Sequence, residues 1–417
     1  MQTGAERAFE GGFSALRGAR VAVICNPTSL LRRADRRGRR VHLVDALRQA
    51  DIDVVRLFGP EHGIWATAQD MIGVDDGVDP VFSLPVRSLY GHDEDSLIPS
   101  PDALAGIDVV VFDVQDVGAR YYTYAATLCM ALEVSATEGT AVLVLDRANP
   151  LGGEVVEGNR VGAAWRSFVG WIDLPQRHAM TPGEIARLYV AEQGLDVRLD
   201  VVACRDWQID AFLDEQPDEA ARWLWDAPSP NMPTVETAVV YPGQCLIEGT
   251  TLSEGRGTTR PFQLVGAPWL DPRRFAAALE GFDIAGLEVR PTCFEPAFQK
   301  YAGQVCGGVA LDVVDRRRFP SVRAGIAVIA AAMQVGGADF AWREEVYEFV
   351  RDRLAIDLLM GGPLAREALE AGAGVDAATA DFAAAEELFG RRARPHLLYR
   401  RQRGVLAAGE NATGRHA

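Results

Sequence analysis

The chain has 417 residues, 48% of them hydrophobic and 24% charged, which is the composition of a globular protein with room for roughly two or three domains. Its formal net charge of −16 argues against nucleic acid as the main partner, because a nucleic-acid binder needs a basic face that releases counterions from phosphates. No apolar stretch has the length of a membrane span, and residues 1–20 lack the apolar core of a secretory signal. We therefore expect a cytoplasmic protein with no membrane partner.

Strands and helices alternate along the first half of the chain. The apolar runs predict strands at 20–25, 54–58, 84–89, 108–114, 141–145 and 197–202, and the helical patterns predict helices at 41–50 and 119–138. Alternation of this kind predicts βαβ units and a parallel sheet, and hence an α/β fold. No G-x-G-x-x-G follows the first strand and no Walker-type loop is present, so we expect no nucleotide cofactor.

A second α/β pattern follows the first. Residues 207–232 predict a helix and then an irregular connection, and the new pattern begins near Tyr241 with a Gly-rich loop at 249–259, a strand at 308–314 and a helix at 324–335. We divide the chain into an N-terminal domain of 1–237, a smaller C-terminal domain of 238–403, and a polar tail of 404–417 predicted to be disordered. The six cysteines are scattered without the spacing of a zinc site, and we expect no metal.

Each predicted strand of the first half ends in a polar or turn-forming cluster. Because the carboxyl ends of parallel strands share one edge of a sheet, these clusters are expected to converge on one cleft. The clusters contain Asn26 after the first strand, Glu61 and His62 after the second, Tyr90 after the third, Gln115, Asp116 and Arg120 after the fourth, and Asp146, Arg147 and Asn149 after the fifth.

Glu61 is the leading candidate for a general acid or acid/base. It lies in Gly59-Pro60-Glu61-His62-Gly63, where a rigid turn ends a strand, and a carboxyl group there is of the right type for proton transfer. The alternative is a loop glutamate on the surface. His62 either orients Glu61 and contacts substrate, or bonds to backbone.

The segment 112–124 mixes carboxylates, an amide, an arginine and three tyrosines, which suits a sugar site. Arg120 is expected to bind a substrate carboxylate in a bidentate fork, or else to pair with Asp116 and stiffen the loop. Tyr122 is the tyrosine of this segment that we expect in the cleft, together with Tyr90. Helical spacing places Tyr121 and Tyr124 on one face, which favours the core.

Three later segments contribute further candidates. Asp146 either accepts sugar hydroxyls or caps its loop. His178 precedes Thr181-x-x-Glu184, the pattern of a capping box that begins a helix. The proline-rich segment 228–234 predicts a rigid wall that exposes Asn231.

The Gly-rich loop at 249–259 is the last of these segments. Its glycines allow the backbone to approach a ligand closely, although a surface hairpin has the same composition. Glu254 is a natural second carboxylate, Arg256 a second site for an anion, and Thr258 a hydroxyl that could contact substrate.

Together these segments resemble the exo-acting β-N-acetylmuramidases of the NamZ type, over residues from about 20 to 399. The matching motifs are FGPEHG, SLYG, VFDVQDVGARYYTY, LDRANPLGG, RHAMT, PSPNMPT, YPGQCLIEGTTLSEGRGTT, GAPWLD and RPHLLY. The resemblance implies a Rossmann-like parallel-sheet domain with a second, smaller α/β domain, a cleft between them, and hydrolysis of terminal N-acetylmuramic acid from peptidoglycan fragments. It also implies that Glu61 is catalytic. Ala66 and Ala148 depart from the glycine and proline usual in the family.

We therefore expect a metal-independent glycosidase acting on a muropeptide or on a glycan that ends in N-acetylmuramic acid. Glu61 would protonate the leaving oxygen, Glu254 or Asp116 would be the second catalytic group, and Arg120 or Arg256 would bind the lactyl carboxylate. Two alternatives remain: a metal-dependent hydrolase using His62, Asp116 and His178, and a non-catalytic muropeptide-binding protein. The sequence leaves the oligomeric state open.

Overall fold

A seven-stranded sheet organises the first half of the chain. The structure is a computed structural model that describes residues 1–32, 39–217 and 224–407. The strands of this half are β1 (Arg20–Cys25), β2 (Leu30–Leu31), β3 (Val41–His42), β4 (Asp53–Gly59), β5 (Gly77–Val78), β6 (Pro85–Ser88), β7 (Val109–Asp113), β8 (Ala141–Leu145) and β9 (Leu199–Val202). The sheet has the order β5-β6-β4-β1-β7-β8-β9, and only the β5–β6 pair is antiparallel. Strands β2 and β3 form a separate antiparallel pair.

Helices cover both faces of the sheet, which explains why the central strands are apolar throughout. Alternate residues of a strand point to opposite faces. Ala22 and Ile24 of β1 belong to the core beneath the third, fourth and fifth helices, whereas Val21, Val23 and Cys25 pack with the first two. These helices are α1 (Gly4–Glu10), α2 (Leu43–Gln49), α3 (Pro101–Leu104), α4 (Tyr124–Glu138) and α5 (Pro182–Gln193).

A smaller α/β unit follows. Its antiparallel sheet has the order β10-β12-β11, formed by β10 (Leu264–Ala267), β11 (Leu287–Phe294) and β12 (Cys306–Val313). Its helices are α6 (Val235–Gln244), α7 (Pro272–Glu280), α8 (Ser321–Gly336), α9 (Ala355–Met360), α10 (Leu364–Glu370), α11 (Gly374–Ala378) and α12 (Phe382–Ala393). Helices α6 and α8 cross at Gly243 and Gly325, where a Cβ on Gly325 would lie 2.0 Å from the carbonyl oxygen of Gly243. Only glycine allows this approach.

Helix α8 is the apolar centre of this unit. Within the described part of the chain, the helical stretch 321–339 is long and apolar enough to cross a membrane by length and composition, with a mean hydropathy of 1.4 over its best window. Of that window, 61% is buried inside the protein. The core helix of a soluble protein passes the same test.

The structure confirms the predicted α/β class, the parallel sheet and the smaller second α/β unit, and each of the six predicted strands of the first half is present. The capping box at Thr181 and Glu184 begins α5 as predicted. The helix predicted at 119–138 was wrong at its start, because α4 begins at Tyr124 and Ala119 pairs instead with Arg177 in an isolated bridge. Within 207–217 and 224–232 the structure has a short 3₁₀ turn and no α-helix, and residues 218–223 of the segment in which a helix was predicted lie outside the described residues. Most of the predicted tail, 408–417, lies outside the described residues.

Candidate active site

One pocket opens at the carboxyl edge of the large sheet and is closed on its far side by residues of the second half. The polar strand ends do share this edge, as the parallel order requires. Only some of these polar strand-end residues face the pocket. The acidic and basic side chains that line it are Glu61, His62, Asp70, Glu248, Arg256 and Glu348. Its aromatic wall is formed by Tyr121, Tyr122, Tyr124, Tyr241, Phe262 and Tyr347.

Glu61 enters the pocket from the turn that follows β4. The turn is closed by a hydrogen bond of 2.8 Å from the N–H of Gly63 to the carbonyl of Pro60. His62 has a φ of 70°, a left-handed conformation that is uncommon outside glycine. The Glu61 side chain is only 6% exposed and accepts a hydrogen bond of 2.5 Å from the hydroxyl of Thr123.

Glu348 is a second carboxylate in the same pocket, and the sequence patterns did not indicate it. It lies in a tight turn closed by a bond of 2.9 Å from the N–H of Val350 to the carbonyl of Tyr347. Glu348 and Phe349 have φ values of 45° and 67°, as in a type I′ turn. The usual sequence signal of such turns is Asn-Gly or Asp-Gly, and the turn at Glu348 contains neither. In the sequence, Glu348 is marked only as an acidic residue between Tyr347 and Phe349.

The two carboxylates differ in their electrostatic environment. Burial raises the pKa of Glu348 well above its usual value, and the negative charge of Glu61 raises it further, although the hydrogen bond from Tyr90 lowers it. The hydroxyl of Tyr90 donates that bond to Oε2 of Glu348 over 2.8 Å. Two acids that share one pocket cannot both ionise easily. Glu348 is therefore the carboxyl group of this pocket that retains its proton to a higher pH than a free glutamate.

Arg256 lies in the wall of the pocket among three carboxylates. Its Nη1 is 2.6 Å from Glu248 and 3.2 Å from Glu254, and its Nε is 3.3 Å from Asp70. These three charges outweigh the effect of burial and hold the pKa of Arg256 above its ordinary value. Arg256 is thus a permanently charged guanidinium whose position is fixed by its acidic neighbours.

Glu254 does not line the pocket. Its carboxylate is bound to Arg256 and, over 3.1 Å, to Nζ of Lys300. Burial alone would raise its pKa, but the charges of Lys300 and Arg256 prevail and lower the pKa to about 2. A carboxylate held in two buried ion pairs is a poor proton carrier at neutral pH. These ion pairs do not favour Glu254 as the second catalytic group, and that role stays a prediction.

Asp116 and His178 form a buried pair outside the pocket lining. Nε2 of His178 lies 3.8 Å from Oδ1 of Asp116, and the N–H of Gly118 donates to the same oxygen over 2.6 Å. Burial raises the pKa of Asp116 to about 7 and lowers that of His178 to about 3. His62 instead faces the pocket, so the structure does not assemble the metal site proposed from His62, Asp116 and His178. Among the described residues, no three His, Cys, Asp or Glu side chains are grouped as metal ligands.

Arg120 serves neither purpose that the sequence suggested. Its Nη1 donates to the carbonyls of Asn159 and Leu174 over 2.9 and 2.8 Å, and its Nη2 donates to the carbonyl of Leu359 over 2.5 Å. The side chain is 4% exposed and pairs with no carboxylate, Asp116 included. Arg120 therefore joins Asn159, Leu174 and Leu359 through their carbonyls and is absent from the pocket lining, so these contacts do not favour the predicted anion fork.

Several predicted binding residues hold the sheet edge together instead. The side-chain amide of Asn26 donates to Tyr124 and to the carbonyl of Pro228, both over 3.2 Å. Gln115 donates to the carbonyls of Asp116 and Ala148. These bonds position the segments on which the pocket residues lie, and the two amides do not line the pocket.

The remaining predicted residues of this edge also bond to protein groups. Arg147 forms a bidentate pair with Asp113, at 2.6 and 3.0 Å. Asp146 accepts hydrogen bonds from Thr181, from the N–H of Gly183 and from Tyr399, which supports the capping alternative. Asn149 donates to the carbonyl of Met180, and Thr258 donates to that of Gly255. The structure thus places Asp146, Arg147, Asn149 and Thr258 outside the pocket, contrary to the prediction that they bind substrate.

The tyrosines do not separate into pocket residues and core residues as the sequence predicted. Tyr122 lines the pocket, as expected, and its buried hydroxyl makes no hydrogen bond. Tyr121 and Tyr124 are buried but also line the pocket, with their hydroxyls bound to the carbonyls of Pro242 and Pro228. Tyr90 is 1% exposed and reaches the site through Glu348.

Two further predicted residues line the pocket with their own polar groups anchored. The side-chain amide of Asn231 donates to Gln69 over 2.8 Å. Nδ1 of His62 lies 2.9 Å from the carbonyl of Ala68. With Nδ1 donating to that carbonyl, the neutral ring of His62 keeps Nε2 as an acceptor.

Family models and a known protein match most of the chain. Residues 21–236 match the family model described as exo-beta-N-acetylmuramidase NamZ, N-terminal, and residues 239–399 match the corresponding C-terminal model. The chain is 36% identical over 400 residues to the peptidoglycan beta-N-acetylmuramidase NamZ of Bacillus subtilis, covering 96% of this chain and 91% of that protein.

Two solved structures from Bacteroides fragilis are similar in fold. Both are crystal structures of DUF1343 family proteins. One has a TM-score of 0.83 at 28% identity and covers 96% of this chain and 99% of its own. The other has a TM-score of 0.71 at 27% identity, with 95% and 98% covered.

Proposed function

The chain belongs to the NamZ family of exo-β-N-acetylmuramidases, and on that premise we propose that it is a glycosidase that releases the terminal non-reducing N-acetylmuramic acid from peptidoglycan fragments. One observation supports this function more than any other. Glu61 and Glu348 face one pocket, and the charge of Glu61 raises the pKa of Glu348. Most glycosidases use two carboxyl groups of unequal pKa beside the scissile bond.

We assign the roles of the pair from the location of the proton. Glu348 carries the proton and is the general acid that protonates the leaving oxygen. Glu61 is the proposed partner, which activates water or stabilises the positive charge that develops on the sugar. The sequence suggested Glu61 as the acid. We propose Glu348 instead, because burial and the charge of Glu61 destabilise the charged form of Glu348.

The substrate contacts that we propose are fewer than the sequence suggested. Arg256 faces the pocket and is the proposed contact for the lactyl carboxylate, whereas Arg120 is bound to three carbonyls elsewhere. The free hydroxyl of Tyr122 and the amide of Asn231 are placed to contact sugar hydroxyls or the acetamido group. The aromatic wall supplies a flat apolar face for the ring.

The experiment compares two leaving groups. Glu61→Gln and Glu348→Gln are assayed on a nitrophenyl β-N-acetylmuramide and on a disaccharide that ends in N-acetylmuramic acid. We expect Glu61→Gln to lose activity on both substrates by at least about 10²-fold. Glu348→Gln should lose far more activity on the disaccharide than on the nitrophenyl substrate, because nitrophenolate leaves without a proton.

The control is Glu345→Gln, which changes an exposed carboxylate three residues from Glu348. It should leave both activities unchanged. Turnover close to that of the wild type in Glu61→Gln would contradict the proposed role of Glu61. Equal losses on both substrates in Glu348→Gln would contradict its role as the acid, without affecting the proposed substrate.

A further inference from the structure

A second cavity lies at the junction of the two halves of the chain and shares no lining residue with the pocket described above. Its volume is about 400 Å³. One wall is formed by residues 151–156 and 209–212, and the opposite wall contains Arg316 and Arg317 from the loop between β12 and α8. Residues 403–405 complete it. None of these residues has a part in the proposed hydrolysis.

Arg177 is the unusual residue of this cavity. Its side chain is 5% exposed, its Nη2 donates to the carbonyl of Leu151 over 3.0 Å, and its buried Nε makes no hydrogen bond. Among the described residues no carboxylate lies within ion-pair distance of it. A buried guanidinium is costly unless it is paired, and an unbonded buried N–H costs roughly 1–3 kcal/mol more. The missing partner is thus an anion that comes from outside the described fold.

The carboxylate of Glu157, an acidic residue whose backbone pairs with that of Arg177, is bonded elsewhere. Glu157 and Arg177 pair through their backbones, with both N–H to carbonyl distances at 2.9 Å. The side chain of Glu157, however, accepts from the N–H groups of Val322 and Arg323 at the start of α8. Burial raises the pKa of Glu157 to about 7, so half of its population is neutral at that pH. Glu157 therefore caps a helix, and although its charge still acts on Arg177, it forms no ion pair with that guanidinium.

Two other arginines of the cavity are already paired. Arg316 binds Asp214 and Glu236, and Arg317 binds Glu215. Both guanidinium groups also lie over the ring of Phe212, at 5.5 and 6.0 Å from its centroid. These contacts fix the wall of the cavity but provide no strong attraction for a further anion. Among the described residues, Arg177 and Arg403 are the arginines of the lining without a carboxylate partner, and Arg177 is the buried one of the two.

The rest of the lining defines the class of ligand. Leu151, Val155, Ile209 and Phe212 offer apolar surface beside Arg177. The carboxylates that also line the cavity, Glu154, Asp210 and Glu386, would repel a dianion such as phosphate. We propose that this cavity binds a small monoanionic carboxylate with an apolar body, with the carboxylate on the guanidinium of Arg177.

The test uses two probes of equal shape on the full-length protein. Isothermal titration calorimetry compares 4-methylpentanoate with the neutral 4-methylpentanamide. We expect the acid to bind at least tenfold more tightly than the amide. Equal affinities, or no saturable binding of the acid, would overturn the proposal. This comparison requires no variant and no catalytic activity, so it stands apart from any test of the hydrolase.

Two variants locate the binding site. Arg177→Met should weaken the binding of 4-methylpentanoate at least tenfold, whereas Glu61→Gln should leave it unchanged because it alters only the other pocket. Arg177→Lys keeps the charge and should retain intermediate affinity, and it serves as the variant to measure if Arg177→Met fails to fold. Undiminished binding in both Arg177 variants, or loss of binding in Glu61→Gln, would place the probe elsewhere and refute the assignment.

Discussion

Tyr90 and Glu348, which are 258 residues apart in the sequence, are joined by a hydrogen bond of 2.8 Å in which the phenol is the donor. The ring of Tyr90 also lies 5.6 Å from that of Phe349, the other left-handed residue of the Glu348 turn. Backbone strain of this kind persists only where surrounding contacts compensate for it. Tyr90 therefore holds in place the carboxyl group to which we assign the proton of the active-site pair.

Glu348→Gln should reduce kcat on the disaccharide by about 10²-fold or more, which is the usual contribution of a general acid. The amide has a similar shape and removes a buried acid, so the melting temperature should stay the same or rise. Initial rates and thermal unfolding, with Glu345→Gln measured in parallel, check both expectations. A rate within a few-fold of wild type would exclude Glu348 from the chemistry.

Tyr90→Phe should move the alkaline limb of the profile of kcat/KM against pH to higher pH. The hydrogen bond from Tyr90 stabilises the ionised form of Glu348 and so lowers its pKa. Without the phenol the pKa of Glu348 rises, and the acid stays protonated over a wider range. A shift of that limb to lower pH, or no shift, would contradict the proposal that Glu348 is the protonated acid whose pKa is lowered by Tyr90.

Glu254→Gln should weaken the fold at neutral pH by about 3 kcal/mol, the usual cost of breaking a buried ion pair. The pKa of Glu254 is about 2 in the folded protein against 4.5 as the ordinary value. Because the folded pKa is the lower one, this stabilisation is complete above pH 4.5 and is lost as the pH falls towards 2.

Urea unfolding at several pH values tests this window. The free energy of unfolding of Glu254→Gln should fall less steeply between pH 4.5 and 2 than that of the wild type, and Glu345→Gln should follow the wild type. Identical slopes for wild type and Glu254→Gln would show that Glu254 is not held ionised by Arg256 and Lys300.

Ala66→Gly should stabilise the protein by about 0.5–1 kcal/mol, measured by chemical unfolding. Ala66 has a φ of 49°, a left-handed conformation that is unfavourable for alanine and free of cost for glycine. The glycine usual in the family at this position thus has a conformational reason. Ala68→Gly is the control, since Ala68 has no positive φ and the change should destabilise. Destabilisation by Ala66→Gly would show that the turn gains from its methyl group.

The sequence by itself determined the strands, the parallel sheet and the position of Glu61. These follow from local rules: apolar runs of strand length, helical patterns between them, and a rigid turn at a strand end. The shared edge of parallel strands then brought the polar clusters to one side of the molecule without any knowledge of side-chain contacts.

Only the tertiary structure decided which of those polar residues face the pocket. Arg120, Asp146 and Arg147 form hydrogen bonds with protein groups that are distant in the sequence, and no local pattern predicts such partners. Glu348 lies in a turn that contains none of the usual turn-forming residues. Its raised pKa depends on burial and on the charge of Glu61. Proton affinity is a property of the surroundings of a group, and those surroundings exist only once the chain has folded.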